Sequence, residues 1–272
     1  MSSYINTLIF SYNKKLDYYK KILAEAKENN VKIDEYWTNW YNTGGYEYDL
    51  LKMRNELIEI VPEITQYRGT CLDIGSGDGF WSWILAEWYS VTGIEPVSSC
   101  VYLSNKLKDI LSNHTKFNTV FIEADALTHT PQVKYDVIFC RAPNFFNYPM
   151  IDEYSDDLKD VGCKRLYEYW RQTQTPKVAE DLIKRYDERV DYDTVEQFKY
   201  NANNARKYLK HLIGMTNKYF LFILSSKEEF YGKYLGHTYN HDPKDVYKLF
   251  SEFGKARVRH INGYIYGEIY VM

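Results

Sequence analysis

Apolar runs of strand length alternate with stretches of helical periodicity between residues 67 and 146. Thr70 to Ile74 is a short apolar run entering a turn, and a helix is predicted from about Phe80 to Tyr89. Val91 to Glu95 reads as a second strand ending in an acid. From Ser98 to Ser112, the apolar residues Val101, Leu103, Leu107, Ile110 and Leu111 fall at helical spacing. Further strands are predicted from Val120 and from Tyr135. Strands alternating with helices imply a parallel sheet. Its crossovers are right-handed, so the turn after the first strand opens at the C-terminal edge of the sheet.

The flanking regions follow other rhythms. A helix is predicted from about Asn13 to Asn29, with Leu16, Tyr19, Ile22, Leu23 and Ala26 apolar, and a second from Tyr48 to Ile60, limited by Pro62. Between them lies an aromatic-rich stretch, Asp34 to Gly45, closed by a Gly-Gly break. Residues 1–66 are therefore read as a helical N-terminal cap. Regularity stops after Phe146, and the next strand is Lys218 to Leu224. Residues 147–216 exceed a plain helical crossover. They carry helix signals at Leu158 to Gln172, at Thr175-Pro176 and at Asp193-Thr-Val-Glu196, the last a capping box. This helical insert is read as a lid or substrate wall, with a dimerisation arm as the alternative. Asp242-Pro243 opens a helix ending near Phe253-Gly254. Two strands, Ala256 to Ile261 and Tyr264 to Val271, then flank Asn262-Gly263, a hairpin signal.

The turn after the first strand is the most informative segment: Thr70-Cys-Leu-Asp-Ile-Gly-Ser-Gly-Asp-Gly-Phe80. Glycines at 75, 77 and 79 let a ligand lie against bare backbone. In dinucleotide folds an acid about twenty residues after the first glycine holds ribose hydroxyls, and Glu95 stands at that distance from Gly75. A dinucleotide fingerprint, however, is G-x-G-x-x-G, whereas this turn is G-x-G-x-G. An acid at Asp73 is awkward near a diphosphate but suits an ammonium group, directly or through water. A tight turn in an unrelated α/β protein is the plain alternative.

Preceded by Asp73, the G-x-G-x-G order resembles the first motif of class I S-adenosylmethionine-dependent methyltransferases. The resemblance implies a Rossmann-like α/β three-layer sandwich. Its sheet is mostly parallel and ends in an antiparallel hairpin, in keeping with the terminal Asn-Gly signal. It implies S-adenosylmethionine as cofactor, with Asp73, Gly75, Ser76, Gly77 and Gly79 around its amino-acid and ribose parts and Glu95 and Pro96 at the ribose. In Val120-Phe-Ile-Glu-Ala-Asp125-Ala126, the acid at 125 would accept from the adenine amino group and the Ala126 amide would contact the ring. The fourth strand, read as Tyr135 to Phe146, would meet cofactor and substrate at its end. The likeness covers residues 67–146 and, more loosely, 218–272, which together form the expected core. The first 60 residues and 147–216 match no named pattern.

Composition adds limits. Hydrophobic residues make up 45% and charged residues 26% of the 272, an ordinary balance for a globular protein. Most of the 28 tyrosines are read as a trait of an A/T-rich coding sequence; aromatic walls around a ring or cation are the sharper reading. A formal net charge of -3 argues against a broad, sequence-independent grip on phosphates, though not against a local basic patch. The sequence has no window of apolar residues long enough for a membrane span, and Met-Ser-Ser-Tyr-Ile does not read as the start of a signal peptide, so none is expected. The four cysteines, at 71, 100, 140 and 163, show no paired spacing, so a cytoplasmic protein with reduced thiols is expected.

The chemistry implied by the resemblance needs alignment more than acid–base help, and no catalytic residue is assigned. Trp37 and Tyr41, beside Trp40, are candidates for a substrate pocket, packing of the cap onto the core being the alternative. Near the mouth, Arg141 is a candidate for orienting an acidic substrate and Asn144 for hydrogen-bonding an acceptor, with Tyr148 nearby. Enzymes that methylate exocyclic amines of bases or glutamine amides carry Asn/Asp-Pro-Pro-Tyr/Phe after this strand. Here the run is Arg141-Ala-Pro-Asn-Phe145, so only Pro143 and Phe145 match. A small-molecule acceptor is expected, with RNA or protein as alternative. A protein that binds the cofactor without turnover is the alternative of another class. His237 and His241, four apart in a segment read as loop, are not expected to hold a metal.

Overall fold

Parallel strands buried on both faces read as near-continuous apolar runs, and the sheet is built from such runs. The computed structural model describes residues 15–33, 50–112, 118–141, 206–225, 233–235 and 238–271. In chain order the elements are α1 (Lys15–Glu28), α2 (Leu50–Ile60), β1 (Gly69–Ile74), α3 (Phe80–Leu85), β2 (Tyr89–Glu95), α4 (Ser98–Ser112), β3 (Thr119–Glu123) and β4 (Tyr135–Arg141). A helix over 206–214, α5, precedes β5 (Thr216–Ser225). Then follow β6 (Lys233–Leu235), β7 (Thr238–Asn240), α6 (Pro243–Phe250), β8 (Lys255–Ile261) and β9 (Tyr264–Tyr270).

The chain divides into two compact units, residues 1–140 with 214–220 and residues 141–213 with 221–272. In the first unit β1 lies between β2 and β4, parallel to each, with Asp73 opposite Gly93 on one side and Phe139 on the other. β2 pairs in parallel with β3, Glu95 opposite Glu123. The hydrogen-bonded strand order is β3-β2-β1-β4-β5-β9-β8. The strand order therefore reverses between β1 and β4, where ligands of open α/β sheets bind outside the strand ends. β8 and β9 form the antiparallel hairpin, with β9 next to β5. This is the Rossmann-like sheet expected from the sequence, including its terminal hairpin.

Local chemistry explains the joints. Asn30 adopts φ 55° after α1, a left-handed stop expected of the Asn pair. Asp242 caps α6 by accepting from the Lys244 amide at 2.8 Å, with Pro243 at the first helical position. Asn262 and Gly263, at φ 51° and 79°, close the β8–β9 hairpin with Ile261 opposite Tyr264. Behind that hairpin Phe222 packs edge-on against Phe250, with centroids 5.6 Å apart. In the first unit Ile22 and Ala26 of α1 are buried, and Glu25 pairs with Lys106 of α4. Arg54 of α2 grips Glu87 with two hydrogen bonds, at 2.5 and 2.9 Å.

Two expectations change. The helix expected to reach Tyr89 ends at Leu85. Tyr89 instead begins β2, pairing with Gly69, and its hydroxyl donates to the Ile64 carbonyl at 2.9 Å. Residues 236–243, read as loop, contain β7, which pairs with β6. Strands of three residues are too short to show a period. The helices expected between residues 147 and 205 lie outside the described residues, as do Trp37, Tyr41, Asn144, Tyr148, Cys163 and His237.

Candidate functional site

Gly75, Gly77 and Gly79 all adopt positive φ, at 69°, 54° and 84°. A side chain in this left-handed region is strained, so the turn selects glycine. The backbone of the turn is anchored to the end of β2: the Gly75 and Ser76 amides donate to the Ile94 carbonyl at 2.9 and 3.1 Å. The Gly79 amide then donates to the Ser76 carbonyl at 2.8 Å, and the Gly79 carbonyl accepts from Trp83 in α3 at 3.0 Å. Strand, turn and helix thus form one hydrogen-bonded path.

The two outer glycines serve different purposes. A Cβ on Gly79 would stand 2.6 Å from the Phe121 ring, so Gly79 is packed from behind. A Cβ on Gly75 would meet nothing within 4 Å. Gly75 is exposed, and the space over it is free for a ligand to approach the backbone.

Two carboxylates flank the turn. Glu95, 9% exposed, accepts from the Gly77 amide and from the Val97 amide, each at 3.2 Å. Burial raises the Glu95 pKa, and these two donors oppose the rise. Asp73, 2% exposed, accepts from the Ser82 hydroxyl of α3 at 2.5 Å. Burial pushes Asp73 up to about 7; the Ser82 hydrogen bond opposes this and the Glu95 charge adds to it. The Gly77 carbonyl accepts from the Ser104 hydroxyl of α4 at 2.8 Å, so Gly77 is held on both sides.

The end of β3 is tied to the same edge, because the Ala124 amide donates to the Glu95 carbonyl at 3.1 Å. Next along the chain, Asp125 is exposed and Ala126 buried. Asp125 Oδ1 accepts from the Leu127 amide at 2.9 Å, closing a local turn. Pro96 is exposed directly after Glu95. Arg141 ends β4 half-buried. Hydrogen bonds therefore bring Gly75, Ser76, Gly77, Gly79 and Glu95 together, with Asp73 at the head of the turn.

Sequence reasoning missed Ser82, Ser104 and Phe121. Each left a trace. Ser82 is the polar residue within Phe-Trp-Ser-Trp-Ile-Leu, and Ser104 shares the buried stripe of α4 with Cys100, Leu103 and Leu107. A hydroxyl on a core-facing stripe needs a partner: Ser82 has Asp73 at the end of β1, and Ser104 has the Gly77 and Cys100 carbonyls. Among the described residues no group of three or more His, Cys, Asp or Glu is arranged to hold a metal ion. The thiols of Cys71 and Cys140 are buried and pushed well up by burial, so neither is a nucleophile. No helix among the described residues is long and apolar enough to cross a membrane.

The glycine turn, the acid ending β2 and the last strand inserted next to β5 occur together. The fold is Rossmann-like, with the strand order and antiparallel ending that the sequence resemblance implies. No protein-family model and no curated protein matches the chain. Among solved structures it is similar to the DhpI complex with SAH at 14% identity and TM-score 0.45, over 97% of this chain and 96% of that one. It is also similar to magnesium protoporphyrin IX methyltransferase from Synechocystis PCC 6803 with bound SAM, at 12% identity and TM-score 0.48. There the match covers 89% of this chain and 99% of the other. The N-methyltransferase NodS from Bradyrhizobium japonicum WM9 aligns at 9% identity and TM-score 0.45, over 81% and 94% of the two chains. At such identities and TM-scores the likeness assigns no activity to this chain.

Proposed function

We propose that the chain is an S-adenosylmethionine-dependent methyltransferase acting on a small-molecule acceptor. One observation carries the reading: an open approach to bare backbone at Gly75, next to a turn whose Gly77 amide is held by the Glu95 carboxylate. When bound, S-adenosylmethionine supplies a sulfonium methyl that is already activated for in-line displacement.

The residues fit that group. Glu95 uses one lone pair on each oxygen for the Gly77 and Val97 amides, and the others remain to accept from ribose hydroxyls. This double anchor fixes the carboxylate before a ligand arrives. Asp73, when ionised, supplies the negative charge for an ammonium group, and a turn flanked by two acids disfavours a diphosphate. Asp125 keeps Oδ2 to accept from an exocyclic amine, and the Ala126 backbone lies beside it. Arg141 is assigned to the cofactor side or to an acidic substrate. The chain's contribution to rate is alignment, worth up to about 7–11 kcal/mol in favourable cases. Ala142 and Asn144 depart from the signature of base and amide methylation, and the net charge of -3 favours a small acceptor over a polymer.

The test is transfer of labelled methyl from S-adenosylmethionine into fractionated cell extract. Label in the small-molecule fraction, lost with Glu95→Ala, supports the reading. Label in RNA or protein moves the acceptor class. Binding without any transfer leaves a cofactor-binding protein and refutes the enzyme.

A further inference from the structure

Asp73 raises a difficulty for the proposed site. A carboxyl this buried, 2% exposed, loses the solvation that keeps it charged. Yet it serves the proposed cofactor only as an anion, since a neutral acid offers no charge to an ammonium group. The groups acting on it come from every neighbouring element. Glu95 at the end of β2 repels the charge. Cys71 of β1 and Cys140 of β4 are neutral thiols that bring no positive charge. From α3 the Ser82 hydroxyl donates to Oδ2 at 2.5 Å. Ser82 is itself 0% exposed, inside a turn of helix that is otherwise apolar. Its helix neighbours Phe80, Trp83, Ile84 and Leu85 are buried and largely apolar, and an alanine at 82 is the better helix former.

We propose that Ser82 is a positioning residue that acts through Asp73: its hydroxyl keeps the buried carboxyl oriented and ionised to receive the cationic amine of the cofactor. The proposal rests on the reading of the site as an S-adenosylmethionine site and adds the residue that controls its charge. A hydrogen bond to a charged acceptor favours the charged form. Without Ser82, Asp73 takes up its proton at higher pH, and the cation then has to displace that proton. Cofactor binding below the Asp73 transition is therefore coupled to release of one proton from the Asp73 carboxyl. Glu95 is coupled to Asp73 by charge and the cofactor's own amine also titrates, so the readout is a ratio in which contributions common to wild type and variant cancel.

The experiment is calorimetric titration of the full chain with S-adenosylmethionine from pH 5.5 to 9, for wild type, Ser82→Ala, Ser82→Cys and Ser82→Thr. The readout is the ratio of wild-type to variant affinity at each pH. For Ser82→Ala the expected ratio is about tenfold below pH 7, one pK unit of lost preference, closing toward one at pH 9. Ser82→Cys, a near-isosteric weak donor, gives a smaller ratio of the same shape, which stands in if the alanine variant fails to fold. Ser82→Thr keeps the hydroxyl and stays near one throughout. A ratio that is constant across pH, or equal loss in the threonine variant, overturns the inference and leaves the cofactor reading intact. Absence of wild-type binding at every pH refutes the cofactor reading itself and the inference with it.

Discussion

The Glu95 carboxylate accepts the Gly77 amide at 3.2 Å across eighteen residues of sequence, joining the end of β2 to the middle of the glycine turn. It spans further to the Val97 amide with its other oxygen. Glu95→Ala removes the proposed ribose acceptor and both anchors. Hydrogen bonds to a charged group are worth about 1.5–3 kcal/mol, so the affinity for S-adenosylmethionine should fall by about 10- to 100-fold. Glu95→Gln keeps one acceptor and should lose less. Titration of both variants, with circular dichroism to confirm folding, checks this; equal affinity in all three proteins would remove Glu95 from the site.

A Cβ at Gly75 would meet open space and one at Gly79 the Phe121 ring, so the two positions separate the proposed ligand approach from packing. Gly79→Ala adds strain at φ 84° and drives its Cβ against the Phe121 ring, so unfolding free energy should drop by about 2–4 kcal/mol. Phe121→Leu in the same chain should return part of the packing loss. Gly75→Ala meets no neighbour and costs only the left-handed strain, about 1–2 kcal/mol. Its main effect should appear in cofactor affinity. Denaturant unfolding of the two variants, read beside their binding constants, distinguishes the two roles.

Asp73 sets a pH signature on stability. Its folded pKa, about 7, lies above the ordinary 3.8, so the folded state holds the proton more tightly than the unfolded chain. The stability from this group is full below about pH 4, declines as pH rises toward 7 and is flat above that. Three units correspond to about 4 kcal/mol. Asp73→Asn carries no charge, so its melting temperature should gain on the wild type as pH rises from 4 to 8. Thermal melts at pH 5 and 8 measure the gain; a difference that does not change with pH would mean Asp73 titrates normally.

The second unit offers a test of local chemistry away from the site. Asp242 caps α6 through the Lys244 amide. Asp242→Ala should destabilise by about 1 kcal/mol and Asp242→Ser by little, as read by thermal melting.

What the sequence displayed and what it hid follow one rule. The segment from Thr70 to Ser112 was legible because its strands, turn and α4 are set by neighbours in sequence: an apolar run, three glycines, a helical stripe. The Asn262-Gly263 hairpin was legible for the same reason. The end of α3 was not, because Tyr89 is drawn into β2 by pairing with Gly69 and by its hydroxyl bond to Ile64, contacts that no helical period announces. The β6–β7 hairpin was too short to show alternation. At the site, glycines and acids stood out by type. Ser82 and Ser104 did not, since a serine gains its meaning from the partner it faces, and Asp73 and Gly77 lie 9 and 27 residues away from them. Phe121 reads as core, and only the bare Gly79 beneath its ring ties it to the turn.

In the proposed site the backbone at Gly75 and the carboxylate of Glu95 together hold an adenosyl sulfonium. A crystal structure of the chain soaked with S-adenosylhomocysteine tests it most directly. The account predicts ribose hydroxyls on Glu95, the amino-acid part running past Gly75, and the amine within reach of Asp73. A ligand seated elsewhere, or a turn that takes NAD in preference, would contradict it.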